Sequence, residues 1–335
     1  MKHEVRMFVL LLLLLWALAW SAAGRHRDTP EAEEPAPAAE ETGAQEERAH
    51  AAHPDAETAL RVRIGGEVRE MTMGDYLVGV LRAEMPASFE LEALKAQAVA
   101  ARTYTLYKMK NGPIANHPEA DACDDINCCK AYRGAEEAAA DWRSMALYYE
   151  EKLRRAVSET DGWAVLYGGE PILAVFCSSV DGHTQNAGAV WQSDLPYLRS
   201  VDSPETADLV PNYYAVDTFS EREFRERFLA AFPDADLSGT PEDWFRDLER
   251  SDAGYVAVLR VGGVTVRGNE LRGILGLRSP SFTVETGPDF VTFRTTGYGH
   301  GVGMSQYGAN ILAGQGMSAK EILEHYYDGA TVGFW

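Results

Sequence analysis

Apolar and polar positions change rhythm several times along the chain, and each rhythm predicts an element. Residues 61–72 (RVRIGGEVREMT) alternate on either side of Gly65-Gly66, the pattern of a strand hairpin. Asp75 is placed to cap a helix running to about Glu84, with Leu77, Val80 and Leu81 on one stripe. Pro86 ends it, because the residue before a proline is pushed out of helical geometry. A second helix is predicted from about Ser88 to Met109, Ala-rich in its first half, and residues 111–134 have no periodicity. Residues 135–158 are again helical in composition, and residues 162–177 read as two strands about a turn. Over residues 202–252, Phe, Trp and Leu recur at helical spacing, which predicts a helical surface subdomain. Strand character returns over 255–296, and the chain closes with a glycine-rich loop and an amphipathic helix near Ala319–Tyr326. No internal repeat interrupts this order, and the predicted fold class is α+β: one unit over residues 61–335 with an irregular second lobe at about 203–290.

The first 60 residues follow other rules. Residues 7–23 form a run without charge, preceded by Lys2 and Arg6. Its length suits a single membrane crossing, with residues 1–6 on the cytoplasmic side. A signal peptide cut after Ser21-Ala22-Ala23 is the alternative; either way the remainder is exported. Residues 24–60 are rich in Ala, Glu and Pro, with 10 acidic against 3 basic side chains. Such a stretch buries too little apolar surface to offset chain entropy, so it reads as a disordered tether. The whole chain of 335 residues carries a net charge of −20, which opposes binding to a phosphate backbone and excludes general nucleic-acid binding. Four cysteines exclude a disulfide-dense scaffold.

One carboxylate stands out. Glu84 falls on the apolar stripe and at the helix end, where both desolvation and the negative end of the helix dipole favour its protonated form. A carboxyl protonated near neutral pH suits a general acid; a solvated or Arg-paired Glu at the helix end is the plainer alternative. Lys95 and Arg102 lie seven apart on the next helix, facing nearly the same side. They are placed to bind substrate hydroxyls or hold a carboxylate, or else are ordinary solvated charges. His117, Cys123, Cys128 and Cys129 fall within 13 residues. Thiolates with an imidazole suit tetrahedral zinc; a disulfide from Cys123 to Cys128 or Cys129 competes with it in an exported protein. With four protein ligands the metal would be structural, which disfavours a zinc hydrolase. The segment Gly299-His300-Gly301-Val302-Gly303 suits close backbone approach to a bulky ligand, and His300, Gln306 and Tyr307 are further candidates there.

The run Tyr76-Leu-Val-Gly-Val-Leu-Arg-Ala-Glu84-Met85-Pro86-Ala-Ser-Phe89, followed by Glu92-Ala-Leu-Lys95-Ala-Gln97 and Arg102-Thr103-Tyr104, resembles the stage II sporulation protein D (SpoIID) family. Gly299-His300-Gly301-Val302-Gly303-Met304-Ser305-Gln306-Tyr307-Gly308-Ala309 is similar to that family's second signature. Ser178-Ser179 through Gly182-His183-Thr184, Trp191 and Pro196-Tyr197-Leu198 fits between them, and Leu271–Ser279 is also familiar. The family pattern usually has Gly-Gly before its Thr, where this chain reads Val180-Asp181-Gly182-His183-Thr184. The resemblance implies a two-lobed catalytic domain behind an N-terminal transmembrane helix. Its activity would be that of a lytic transglycosylase, cutting peptide-stripped peptidoglycan strands during sporulation engulfment. A cell-wall amidase and a membrane scaffold would be its partners. By position it implies Glu84 as the catalytic acid/base and assigns Lys95, Arg102, Thr184 and Tyr197 to substrate binding. It also implies structural zinc in some members, with Cys128 where a His can stand. SpoIID-like domains also occur in proteins that stimulate cell-wall amidases, which gives the alternative of a non-catalytic peptidoglycan-binding module.

Overall fold

The structure, a computed structural model, describes residues 54–112, 116–126, 128–191 and 193–335. The expectations for residues 1–6, 7–23 and most of the tether lie outside them. Among the described residues no helix is long and apolar enough to cross a membrane. The tether expected to reach residue 60 gives way sooner to structure: Pro54–Glu57 forms a helical turn and a strand starts at Ala59. Asp55 orders this stretch, its carboxylate taking hydrogen bonds from Nε and Nη2 of Arg102 (2.7 and 2.5 Å).

The hairpin forms as predicted. Ala59–Ile64 pairs antiparallel with Glu67–Thr72 about Gly65 and Gly66, whose positive φ angles (58° and 92°) make the turn. Ala122–Cys123 joins the other edge in parallel. The helix Met73–Glu84 follows directly, and Thr72, not Asp75, caps it: Thr72 Oγ1 accepts from the Asp75 N–H (3.1 Å). Met85 is extended before Pro86, as the proline requires.

Leu91–Lys110 is the core helix. From Ala93 to Thr103 every residue except Lys95 is buried. Small alanines let Met73–Glu84, Ala146–Ser158, Gln306–Gly314 and Ala319–Tyr326 approach it closely, together with the strand Trp163–Tyr167. The helical stretch 135–158 breaks into Ala135–Trp142 and Ala146–Ser158 at a 3₁₀ turn whose first residue, Arg143, has φ 52°. Trp163–Tyr167 lies between Glu170–Pro171 and Thr331–Phe334. Phe176–Cys177 leaves that sheet and pairs in parallel with Met304–Ser305, which draws the glycine segment onto the first lobe.

The second lobe differs from expectation. It has its own core, from Phe219 to Phe293, under two three-stranded sheets. One runs Phe282–Thr286, Phe290–Thr296, Tyr214–Ser220; the other runs Val264–Arg267, Val256–Val261, Phe245–Arg250. The predicted helical subdomain over 202–252 reduces to one long helix, Glu221–Ala231, where Phe224 and Phe228 hold true helical spacing. Tyr214–Ser220 is a strand with alternating exposure, and Trp244 and Phe245 close the core from a 3₁₀ turn and a strand.

Candidate active site

Glu84 ends its helix half-buried, with Leu77, Val80 and Leu81 buried on the stripe behind it. Residues 130–133 run back along this helix. Ala131 N–H donates to Glu84 Oε1 (2.9 Å), Arg133 N–H donates to the Gly79 carbonyl (3.0 Å), and the Tyr132 ring lies over Gly79. Any side chain at Gly79 would meet that ring, so the glycine, costly within a helix by about 1 kcal/mol, is what lets the segment dock. Burial pushes the Glu84 carboxyl above its ordinary value, while Lys130 and the Ala131 hydrogen bond pull the other way. No second carboxylate among the described residues acts electrostatically on Glu84.

Lys130 is the neighbour that periodicity could not reveal. It is 8% exposed, and its ammonium sits 3.8 Å from the centroid of the Phe176 ring and 4.0 Å from that of Tyr104. Two ring faces thus hold a desolvated cation. Burial pushes its pKa down to about 8, opposed by Glu84. The same cation acts electrostatically on His300 of the glycine segment. His300 Nδ1 accepts from the Val302 N–H (3.1 Å), and its ring lies 5.2 Å from Trp191. Burial, Lys130 and Arg272 push the imidazole pKa down to about 3, which keeps it neutral.

Several predicted binding residues are engaged by the fold instead. Arg102, 2% exposed, is held by Asp55 and by the carbonyls of Trp163 and Val157. Lys95 pairs with Glu92 (2.8 Å) and Glu159 (2.5 Å). Thr184 is buried, its hydroxyl donating to the Arg199 carbonyl and accepting from Val201 N–H. Tyr197 is buried, and its hydroxyl accepts from Leu173 N–H (3.2 Å). Gln306 is buried and donates to Gln97 of the core helix (3.3 Å). Tyr307 packs edge-on against Phe89, 5.0 Å between centroids, on the loop that follows Glu84. These contacts occupy the polar atoms of the first five within the fold, while Lys130 acts electrostatically on both Glu84 and His300.

The Sγ atoms of Cys123, Cys128 and Cys129 lie within 4.8 Å of one another, and all three thiols are free. His117, predicted as the fourth ligand, is outside this cluster, with Nδ1 4.0 Å from the Glu119 carboxylate. Burial and the adjacent Cys123 and Cys128 thiols push the Cys129 thiol well up.

Comparison with known proteins bears on this site. The profile of the Stage II sporulation protein (SpoIID) family matches residues 65–167, the span that contains Glu84 and the cysteine cluster. The chain is 36% identical over 268 residues to stage II sporulation protein D of Bacillus subtilis (strain 168), covering 79% of this chain and 75% of that protein. The chain belongs to the SpoIID family. The protein of the same name from Bacillus amyloliquefaciens is 36% identical over 265 residues, again 79% of this chain and 75% of that protein. An amidase enhancer of Bacillus subtilis (strain 168) is 30% identical over 303 residues, covering 76% of this chain and 40% of that protein. The family is named for sporulation, and the similarity to its members extends beyond the profile match, over 79% of this chain.

Proposed function

We propose that this protein is a peptidoglycan lytic transglycosylase with Glu84 as its one acid/base. The observation that carries this reading is a lone half-buried carboxyl, shifted toward its protonated form, beside a buried cation and a neutral imidazole. Hydrolytic glycosidases ordinarily need two carboxylates, one to activate water or to attack the sugar. A transglycosylase needs one. Protonated Glu84 gives its proton to the oxygen joining N-acetylmuramic acid to N-acetylglucosamine, and the C1–O bond breaks. The resulting carboxylate takes the proton of the muramyl C6 hydroxyl as that oxygen bonds to C1. Glu84 is protonated again, the ring is closed as 1,6-anhydro sugar, and no water is consumed. An intramolecular nucleophile supplies the proximity advantage. Lys130 favours the carboxylate left after the first transfer, and neutral His300 is suited to hydrogen bonding with a sugar rather than repelling the cationic ring.

The reading extends to the rest of the chain. The apolar residues 7–23 anchor it in the cell membrane, with the catalytic unit outside at the engulfment septum. Cys123, Cys128 and Cys129 would supply three thiolate ligands to a zinc ion, with His117 outside the cluster and the fourth position left to another donor; bound there, the ion would fix the segment that presents Lys130 and Ala131 to Glu84. The alternative reading, a non-catalytic stimulator of a cell-wall amidase, is favoured by the similarity to the amidase enhancer. Incubating the purified protein, with no amidase present, with peptide-free glycan separates the two. Anhydro-muramyl ends found by mass spectrometry, and absent with Glu84→Gln, support the enzyme. Uncut strands with the intact protein refute it.

A further inference from the structure

The chain holds 51 acidic against 31 basic side chains, and its cations are mostly matched. Arg82 pairs with Glu150, Arg102 with Asp55, and Lys95 with two glutamates. Arg272 and Arg278 are exceptions. Both are partly buried and neither forms an ion pair among the described residues. They are also fixed. The helix Gly268–Leu275 ends at Gly276, whose left-handed φ of 75° turns the chain back so that Leu277 N–H meets the Arg272 carbonyl (3.0 Å). The Arg278 carbonyl then accepts from Arg272 Nε (3.1 Å) and from Gly299 N–H (2.9 Å). One carbonyl thus ties the Arg272 guanidinium and the Arg278 backbone to the glycine segment.

Their surroundings lead toward the site. The Arg278 guanidinium lies 4.7 Å over the Tyr298 ring, which is 47% exposed. Gly299, which the Arg278 carbonyl holds, precedes His300, and the His300 ring lies 5.2 Å from Trp191. A partly desolvated cation without a counter-charge is unfavourable unless an anion comes to it. Here that anion must arrive with a ligand whose apolar face can rest on Tyr298.

We infer that Arg272 and Arg278 form a carboxylate subsite, which binds the lactyl group of a muramic acid freed of its stem peptide. The inference rests on the glycan reading above and gives it a physical basis for substrate choice. A lactyl group in amide linkage to a peptide carries no charge and offers a guanidinium fork no second oxygen. A free one does both. The muramic acid on which Glu84 acts carries such a lactyl group. The stem peptide's own carboxylates are the other source of the same chemistry.

The test measures binding in the Glu84→Gln protein, so that cleavage does not enter. Four probes are compared: peptide-free strands, the same strands with lactyl carboxylates converted to methylamides, peptide-bearing strands, and chitin oligosaccharides. Peptide-free strands should bind about 10- to 100-fold more tightly than the amidated ones, the range for a charge-assisted pair. Arg278→Gln, which keeps the backbone carbonyl that anchors Arg272, should erase that difference, and so should Arg272→Gln. Chitin oligosaccharides should bind the same with or without either arginine. Equal affinity for free and amidated strands, a difference that survives Arg278→Gln, or no binding of peptide-free strands overturns the subsite. Peptide-bearing strands that bind as tightly as peptide-free ones, and lose that affinity with Arg278→Gln, assign the arginines to the peptide instead. If the unsubstituted protein fails to cut glycan while the charge preference remains, the enzyme reading falls and the subsite stands.

Discussion

Arg102 poses the sharpest choice between scaffold and substrate. Its side chain is 2% exposed and donates to both carboxylate oxygens of Asp55 and to two backbone carbonyls. Replacing it with Met keeps most of the volume and removes the charge. Asp55, itself buried, is then left as an unpaired carboxylate. Breaking one side of a buried pair costs about 3–5 kcal/mol, far more than the pair contributes relative to an apolar replacement. At roughly 2–4 °C per kcal/mol for a unit of this size, the melting temperature should fall by about 6–20 °C. The double variant Asp55→Leu/Arg102→Met should recover much of that loss, because the stranded charge is gone. Urea denaturation of the single and double variants reads both effects. A loss under about 1 kcal/mol in the single variant, accompanied by weaker glycan binding, would return Arg102 to the substrate and refute the structural assignment.

Three further outcomes follow from the site. Because Glu84 must be protonated to act and its carboxyl lies above the ordinary value, cleavage should persist above the usual carboxylate range and fall as pH rises through the shifted value. Lys130→Met should move that fall to higher pH, and an unmoved profile would mean that Lys130 does not act on Glu84. Gly79→Ala sets a gain in helix propensity of about 1 kcal/mol against collision of the new methyl group with the Tyr132 ring. The collision, at about 1–3 kcal/mol, should outweigh that gain by up to about 2 kcal/mol and free the segment that donates to Glu84, so stability and cleavage should drop together in denaturation and activity assays. Purified protein should contain one zinc per chain with Cys123, Cys128 and Cys129 unreactive to thiol reagents, and lose stability on chelation; metal-free protein with oxidised thiols would contradict it.

What the sequence disclosed was local chemistry. Gly65-Gly66 announces the hairpin, Pro86 the helix end, and the stripe of Leu77, Val80 and Leu81 already places Glu84 at the edge of the core. Long-range pairings left no such trace. Phe176–Cys177 reads as the end of a hairpin, yet its partner is Met304–Ser305, over a hundred residues on. Asp55 reads as one more acid in a solvated tether because its partner is a buried arginine in another helix. Lys130 follows two cysteines in a stretch without periodicity, and only the fold encloses it between Phe176 and Tyr104. In the 202–252 stretch, aromatic spacing is truly helical at Phe224 and Phe228 but is a coincidence of strand and turn at Trp244 and Phe245. Thr184 and Tyr197 show the same limit from the other side: polar residues that resemblance assigns to the ligand here satisfy buried backbone groups.

The central claim is that one carboxyl, Glu84, cuts glycan without water. Its most direct test is digestion of peptide-free strands in water enriched in heavy oxygen, followed by mass analysis of the new muramyl ends. The account predicts anhydro ends with no heavy oxygen, and none at all from Glu84→Gln. Reducing ends that carry the label, or cleavage that survives Glu84→Gln, would contradict it.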